Sequence, residues 1–251
     1  MPILKVGRRV SVSLGGSMVN PKVTVKRGMG ISLDPWFVHT FAELLIDHSC
    51  DHQYLVTVGG GSTARAYNRV AEMLAQRSSR YNGLAKARQV LALRDQVGIE
   101  ATVLNARLLQ VALGNQAYRL LIRDPSAAVK TRKPVIIGHG FKPGRSTDWC
   151  AVERARTAMA DLVINVSNVL RVFDKDPRKH PSAKPFDHLT WEQYLSFIPK
   201  EWTPGLSTPF DPVASRLARQ WNIQVAVVSG DLNNLKKLLE GQEFIGTIIG
   251  G

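Results

Sequence analysis

Short apolar, β-branched runs recur along the chain, and each is closed by small or turn-forming residues. Val10 to Leu14 ends at Gly15-Gly16, Tyr54 to Val58 at Gly59-Gly60-Gly61, Pro134 to Ile137 at Gly138, Leu162 to Val166 at Ser167-Asn168, and Gln224 to Val228 at Ser229-Gly230. Continuous rather than alternating hydrophobicity predicts strands buried on both faces. Helix starts stand between them. Asp34-Pro35 and Asp211-Pro212 each set a carboxylate acceptor before a proline whose missing N–H suits a first helical turn. Thr190 with Gln193 spells a capping box, and Ser62 or Thr63 is placed to cap a helix running toward Ser78. Strand then helix, repeated, predicts an α/β fold in three layers, with a mainly parallel central sheet sandwiched by helices. Residues 1–251 read as one domain with a soft division into halves, 1–138 and 139–251, since no Gly/Ser linker separates them. Ile198 to Phe210, rich in Pro and polar residues, reads as a long loop.

Composition adds bounds to this picture. A chain of 251 residues that is 44% hydrophobic has ample material for a core. No uncharged apolar run reaches the ~18 residues that span a bilayer, and Met1 to Val10 carries Lys5, Arg8 and Arg9 without an apolar stretch behind them. No membrane association and a cytoplasmic location are therefore expected, in keeping with only two cysteines, Cys50 and Cys150. The net charge of +13 raises the question of nucleic acid. Its distribution answers it: residues 61–130 carry +7 and residues 131–190 carry +5, spread through helices and loops rather than in a Lys/Arg block. With no zinc-finger or RNA-recognition signature, a solvated basic surface or a field that attracts anionic substrates is the reading, and nucleic acid is not expected.

Glycine clusters at strand ends carry the first chemical signal. In an open parallel sheet, ligands sit beyond the carboxyl ends of strands. Gly15-Gly16-Ser17 and Gly59-Gly60-Gly61 let the backbone approach an anion closely, and the helix that opens at Ser62 supplies free N–H groups with Arg65 one turn in. Two such clusters at equivalent strand ends predict a nucleotide site. A third loop, Gly138 to Thr147, is not a Walker A loop: the Gly138 to Gly144 gap is one residue too long, and Arg145 stands where lysine is required. Lys142, Arg145, Ser146 and Thr147 nonetheless suit a phosphate at a helix start. His48, Cys50, Asp51 and His52 are metal-ligand types at close spacing, but with no second Cys/His pair they read as a helix terminus, and no metal-ligating residues are assigned.

In this order the motifs resemble the amino acid kinase superfamily, and within it the archaeal type of uridylate kinase. The carriers are Ser13-Leu14-Gly15-Gly16-Ser17, Gly59 to Arg65, Asp95 with Gly98-Ile99, and Leu104-Asn105-Ala106-Arg107. Phe141 to Asp148, Asn168 with Asp174-Lys175-Asp176-Pro177, and Asp211-Pro212 complete them. The resemblance implies a homo-oligomer, typically a hexamer, that uses ATP and Mg2+ to phosphorylate UMP to UDP. It implies that Ser13, Leu14, Gly15, Gly16, Ser17, Gly61 and Arg65 hold the ATP phosphates. Ser167, Asn168, Phe173 and Asp176 would hold the base and ribose. Gly60, Asp95 and the loop Phe141, Lys142, Pro143, Gly144, Arg145, Ser146 and Thr147 would hold the acceptor. Arg65 and Asp211 would act on the transferring phosphoryl group.

The chain also departs from that pattern. Ser13 and Ser17 stand where many members carry a lysine, leaving Lys22 or Lys26, in the Asn20 to Leu33 connection, as replacements. Val169-Leu170-Arg171-Val172-Phe173 replaces Val-Asp-Gly-Val-Tyr, keeping the aromatic and losing the Asp-Gly turn. Trp149 stands where a small residue is usual. A kinase of the same fold with another acceptor, and a non-catalytic nucleotide- or oxyanion-binding protein, remain alternatives.

Overall fold

Each of the five apolar runs forms a strand in the computed structural model, which describes residues 1–21, 33–77, 83–199 and 208–250. They are β1 (Arg9–Leu14), β2 (Gln53–Val58), β3 (Val135–Gly138), β4 (Leu162–Ser167) and β6 (Gln224–Ser229). Two short strands complete the sheet, β5 (His188–Leu189) and β7 (Gly246–Ile249). The order is β3-β2-β1-β4-β6-β7-β5, all parallel except for β7 against β6. The chain therefore builds outward from β1 to β3, then returns to place β4 on the other side of β1. That reversal is the topological switch point, where neighbouring loops diverge and leave a crevice.

Helices cover both faces. One layer holds α2 (Pro35–Asp47), α4 (Gly83–Leu113) and α8 (Leu232–Leu239), whose Phe41, Leu45, Leu109 and Leu238 pack on Val12, Val56, Ile137 and Ile164. The other holds α5 (Thr147–Ala158), α6 (Trp191–Phe197) and α7 (Pro212–Gln220), whose Val152, Tyr194 and Ala218 meet Val163, Val225 and Val227. Successive strand residues point to opposite faces, so Ile164 joins one cluster and Val163 the other. Doubly buried strands need continuous hydrophobicity, as the sequence pattern requires.

The predicted caps hold where they are described. Asp34 accepts from the Phe37 amide at 2.9 Å, Asp211 from the Ala214 amide at 2.6 Å, and Thr190 with Gln193 closes a full capping box. Two further helices bear on the site: α1 (Gly16–Val19), and α3 (Gly61–Arg77), which packs on α4. Ser62 and Thr63 do not cap α3, because the helix already begins at Gly61. Gly61 has φ of +62°, a left-handed conformation that a residue with a Cβ adopts only under strain, and both residues fall inside the first turn. Ser78, Lys22, Lys26 and residues 200–207 of the long loop lie outside the described residues. Isolated bridges Ala117 to Val135 and Ile122 to Gly138 run along the outer side of β3.

Candidate active site

The two glycine loops touch. A Cβ on Gly16 would come within 2.5 Å of the Gly59 carbonyl and closer still to the Gly61 amide nitrogen, so only glycine allows the loops after β1 and β2 to meet. Side chains lock this contact from behind. The Asn105 amide donates to the Gly59 carbonyl at 2.8 Å, and buried Asn20 hydrogen-bonds both Ser62 and Thr63. Across the switch point, the Gly15 amide donates to the Val166 carbonyl at 2.8 Å, and a Cβ on Gly15 would lie 3.5 Å from that of Ser167. Gly15, Gly16, Gly59, Gly60, Gly61 and Ser167 thus form one rim.

The loop after β3 leans onto the same rim through α4. Thr102 of α4 accepts from the Gly140 amide at 2.8 Å, and Asp95 accepts from the Gly144 amide at 2.9 Å. Asp95 lies 3.9 Å from the Arg94 guanidinium, which itself pairs with Glu72 of α3. Phe141 and Trp149 stack at 6.3 Å, with Lys142 over the Phe141 ring at 5.0 Å and Arg145 over Trp149 at 4.9 Å. These cation–π contacts orient both cations from within the loop. Gly144 has φ of +77°, so the turn that presents its amide to Asp95 needs glycine.

The floor of the crevice carries two carboxylates. Ser11 and Ser13 point to the same face of β1, and residues 148 and 151 share a face of α5. Ser11 donates to the Ala151 carbonyl at 2.7 Å, and Ser13 donates to Asp148 Oδ1 at 2.7 Å. The other Asp148 oxygen accepts from the Asp211 amide at 3.2 Å. Desolvation, with repulsion from Asp211, pushes Asp148 up to about 6, against the lowering effect of the Ser13 hydrogen bond. Burial raises Asp211 as well, although the Ala214 amide and Ser146 hydroxyl oppose it. Asp211 Oδ2 is buried with no hydrogen-bond partner among the described residues. An orphaned carboxylate oxygen beside a second carboxylate suits a hard cation with oxygen ligands.

Several sequence-expected residues stand apart from this arrangement. Ser13 and Leu14 lie inside β1, each 1% exposed, and the Ser13 hydroxyl is committed to Asp148. Ser17 is half-buried on α1, while Arg65 projects from the first turns of α3 and meets no carboxylate among the described residues. Desolvation of its guanidinium lowers its pKa. Asn168 is exposed, and half-buried Phe173 bridges Pro185 in the segment beyond β4. Asp176 sits in an exposed turn with its carboxylate on Arg178 at 3.1 Å, which lowers its pKa. No described hydrogen bond joins Phe173 or Asp176 to the glycine rim. The lost Asp-Gly turn has a structural substitute: Arg171 pairs with Asp187 and donates Nε to the Gly246 carbonyl at 3.2 Å. His48 is the C-cap of α2, with Nδ1 2.9 Å from the Leu44 carbonyl, and His52 sits before β2, at the end of the sheet opposite the glycine rim.

Sequence reasoning picked out Asp148 and Asn105 only as members of motifs, without a role, and missed Thr102 and Asn20. Asp148 follows Ser146 at a helix start, where an acidic residue is ordinary complement to the dipole, so only its alignment with Ser13 across 135 residues reveals it.

A model of the amino acid kinase family matches residues 8–229. The uridylate kinase of Hyperthermus butylicus is 32% identical over 246 residues, covering 96% of this chain and 98% of that protein. That of Methanoregula boonei is 32% identical over 227 residues, covering 89% and 87%. The crystal structure of uridylate kinase from Archaeoglobus fulgidus superimposes with a TM-score of 0.77 at 28% identity, covering 97% of this chain and all of that one. The UMP kinase of Bacillus anthracis shares the fold at a TM-score of 0.73 and 20% identity. With the strand order, the converging glycine loops and these likenesses in agreement, the chain belongs to the amino acid kinase family.

Proposed function

We propose that the protein transfers the γ-phosphoryl group of ATP to UMP, giving UDP. The observation that carries this reading is the convergence of the Gly15-Gly16, Gly59–Gly61 and Phe141–Thr147 loops on one rim at the β1/β4 switch point, with Asp95 built into the third. Relatives bearing the name uridylate kinase along almost their whole length support the choice of acceptor.

The mechanism needs positioning and charge neutralisation more than covalent help, because the transferring phosphoryl passes through a loose transition state. The half 139–251, with Ser167, Asn168, Phe173 and Asp176, takes the base and ribose of ATP. Backbone amides of Gly16 and Gly61, with Ser17, face its phosphates beside Gly15, whose own amide is taken by Val166, and Arg65 supplies a positive charge there. The half 1–138 brings Gly60 and Asp95 to the acceptor, whose phosphate meets Lys142, Arg145, Ser146 and Thr147 of the returning loop. Asp148, held by Ser13, and Asp211, with its free oxygen, would hold Mg2+. When bound, that ion supplies neutralisation of charge on the transferring oxygens. Ser13 therefore positions a carboxylate instead of touching phosphate.

The same reading includes a homo-oligomer, the hexamer of the family pattern, working in the cytoplasm. Tyr67, Val70 and Leu74 on α3, and Leu104, Leu108 and Val111 on α4, line up at helical spacing and are exposed, Val111 by 79%. An apolar stripe of this kind favours a second copy. A coupled assay with Mg-ATP across UMP, CMP and small phosphorylated or carboxylated acceptors tests the function. UMP turns over fastest if the proposal holds; turnover of another acceptor with none on UMP overturns it.

A further inference from the structure

Far from the glycine rim, a hollow of about 740 Å³ opens beside the start of β1 and β2 and the segment before β3. Five strand steps of ~3.3 Å separate Arg9 at its mouth from Leu14 at the rim, or roughly 16 Å. Its wall holds four cations, Arg9, Lys130, Arg132 and Arg154, and no carboxylate. None of the four forms an ion pair among the described residues.

Arg154 is the telling member. It is 3% exposed, yet among the described residues its guanidinium makes one hydrogen bond, from Nη2 to the Asp124 carbonyl at 3.1 Å, and Nε is buried with no partner there. A guanidinium offers five N–H donors, and a buried one is normally satisfied by a carboxylate. The Asp124 carboxylate favours the ionised guanidinium from a distance but accepts its hydrogen bonds from the amide and hydroxyl of Ser126, at 2.9 and 2.7 Å. Burial draws Arg154 down to about 10, so it still carries its charge at neutral pH. The apolar side of the hollow is equally distinctive. Leu55 and Ile136, paired across β2 and β3, are 3% and 2% exposed but belong to neither core cluster. Val129, Ala127 and Ala128 complete that wall. A cavity of this size, with convergent donors and one greasy side, has the make-up of a small-molecule site. A neighbouring hollow that includes Asp51 and Asp161 carries both signs of charge and lacks this make-up.

We propose that the hollow binds a small phosphorylated molecule, its phosphate held by Arg154, Arg132 and Lys130 and its apolar body lying against Leu55, Ile136 and Val129. The hollow opens at the end of the strands opposite the glycine rim, while the Arg154 guanidinium at its inner side lies 3.6 Å from where a Cβ on Gly138 would stand; binding there does not depend on the reaction assigned to the crevice. Charge-assisted hydrogen bonds from arginine are stronger than neutral ones, and the planar fork matches phosphate geometry.

Phenyl phosphate is the probe, because it joins a phosphate to an apolar ring, and inorganic phosphate is its control. Calorimetric titration of the full chain is expected to give saturable binding of phenyl phosphate, at least tenfold tighter than inorganic phosphate. The double variant Lys130→Gln/Arg132→Gln, whose residues are exposed, is expected to weaken it at least tenfold while leaving turnover of UMP unchanged. Arg154→Met is expected to abolish it, and Arg65→Ala to leave it intact. Binding that survives in the double variant, disappears only in Arg65→Ala, or never saturates would overturn the proposal.

Discussion

Replacing Gly16 by alanine tests the contact on which the crevice depends. The added Cβ meets backbone, the Gly59 carbonyl at 2.5 Å and the Gly61 amide at less, where ordinary contact begins at 3.4 Å. Neither partner is a flexible side chain, so the two loops must part by about an ångström. Forcing one methyl into such packing costs ~1–3 kcal/mol, and a ~1 Å displacement of positioning groups costs ~100-fold in rate. Gly16→Ala is therefore expected to fold, to melt a few degrees lower, and to lose about two orders of magnitude in kcat/KM for both substrates. Gly144→Ala is the control: its φ of +77° strains a Cβ, but nothing lies within 4 Å of it, so the effect falls on the acceptor KM alone. Coupled ADP release with each substrate varied, alongside scanning calorimetry, reads both variants. Wild-type kcat/KM in Gly16→Ala would refute the argument that the touching loops form the phosphate cradle.

Arg65→Ala removes a charge-assisted phosphate contact of ~1.5–3 kcal/mol, so the KM for ATP rises ~10- to 100-fold while the melting temperature barely moves. A variant that fails to fold would make Arg65 structural. The Asp148 carboxyl is raised from 3.8 to about 6, so the native state keeps a proton there that the unfolded chain releases. Stability from this group is present at low pH and is lost as pH rises through about 6, by up to ~3 kcal/mol. Asp148→Asn should flatten the pH dependence of the calorimetric midpoint between about pH 4 and 6 and lower kcat at least ~100-fold; an unchanged slope would disprove the shift. Leu104→Asp/Val111→Asp places charge on the exposed α4 stripe, and light scattering should record a smaller particle with its fold intact. An unaltered mass would mean that this stripe faces solvent.

The parallel core was legible because its strands are buried on both faces, and uninterrupted hydrophobic runs such as Leu162 to Val166 have no other economical reading. β5 escaped notice because two residues carry no period, and β7 because Gly246–Ile249 is four residues flanked by glycine. The glycine loops were legible as local chemistry. What was not legible is their contact, since Gly16 meets Gly59 and Gly61 only after β1 and β2 pair in register. Asp148 was hidden for the same reason: its meaning comes from Ser13 and Asp211, one on a neighbouring strand and one on another helix. Arg171 shows the converse, where a residue standing in place of a familiar turn takes its meaning only from the anchors to Asp187 and Gly246 that the fold brings to it. The basic excess gained a partial location only once Lys130, Arg132 and Arg154 were found around one hollow.

The borders of the sheet bear on how copies of this chain can combine. On one side the bridges from Ala117 and Ile122 already occupy the outer edge of β3, and on the other β5 is only two residues long. Among the described residues neither border presents a long run of vacant backbone donors and acceptors, which disfavours strand-by-strand pairing of copies. Contacts between copies then fall to side chains on helices, where a single substitution can tune or abolish them.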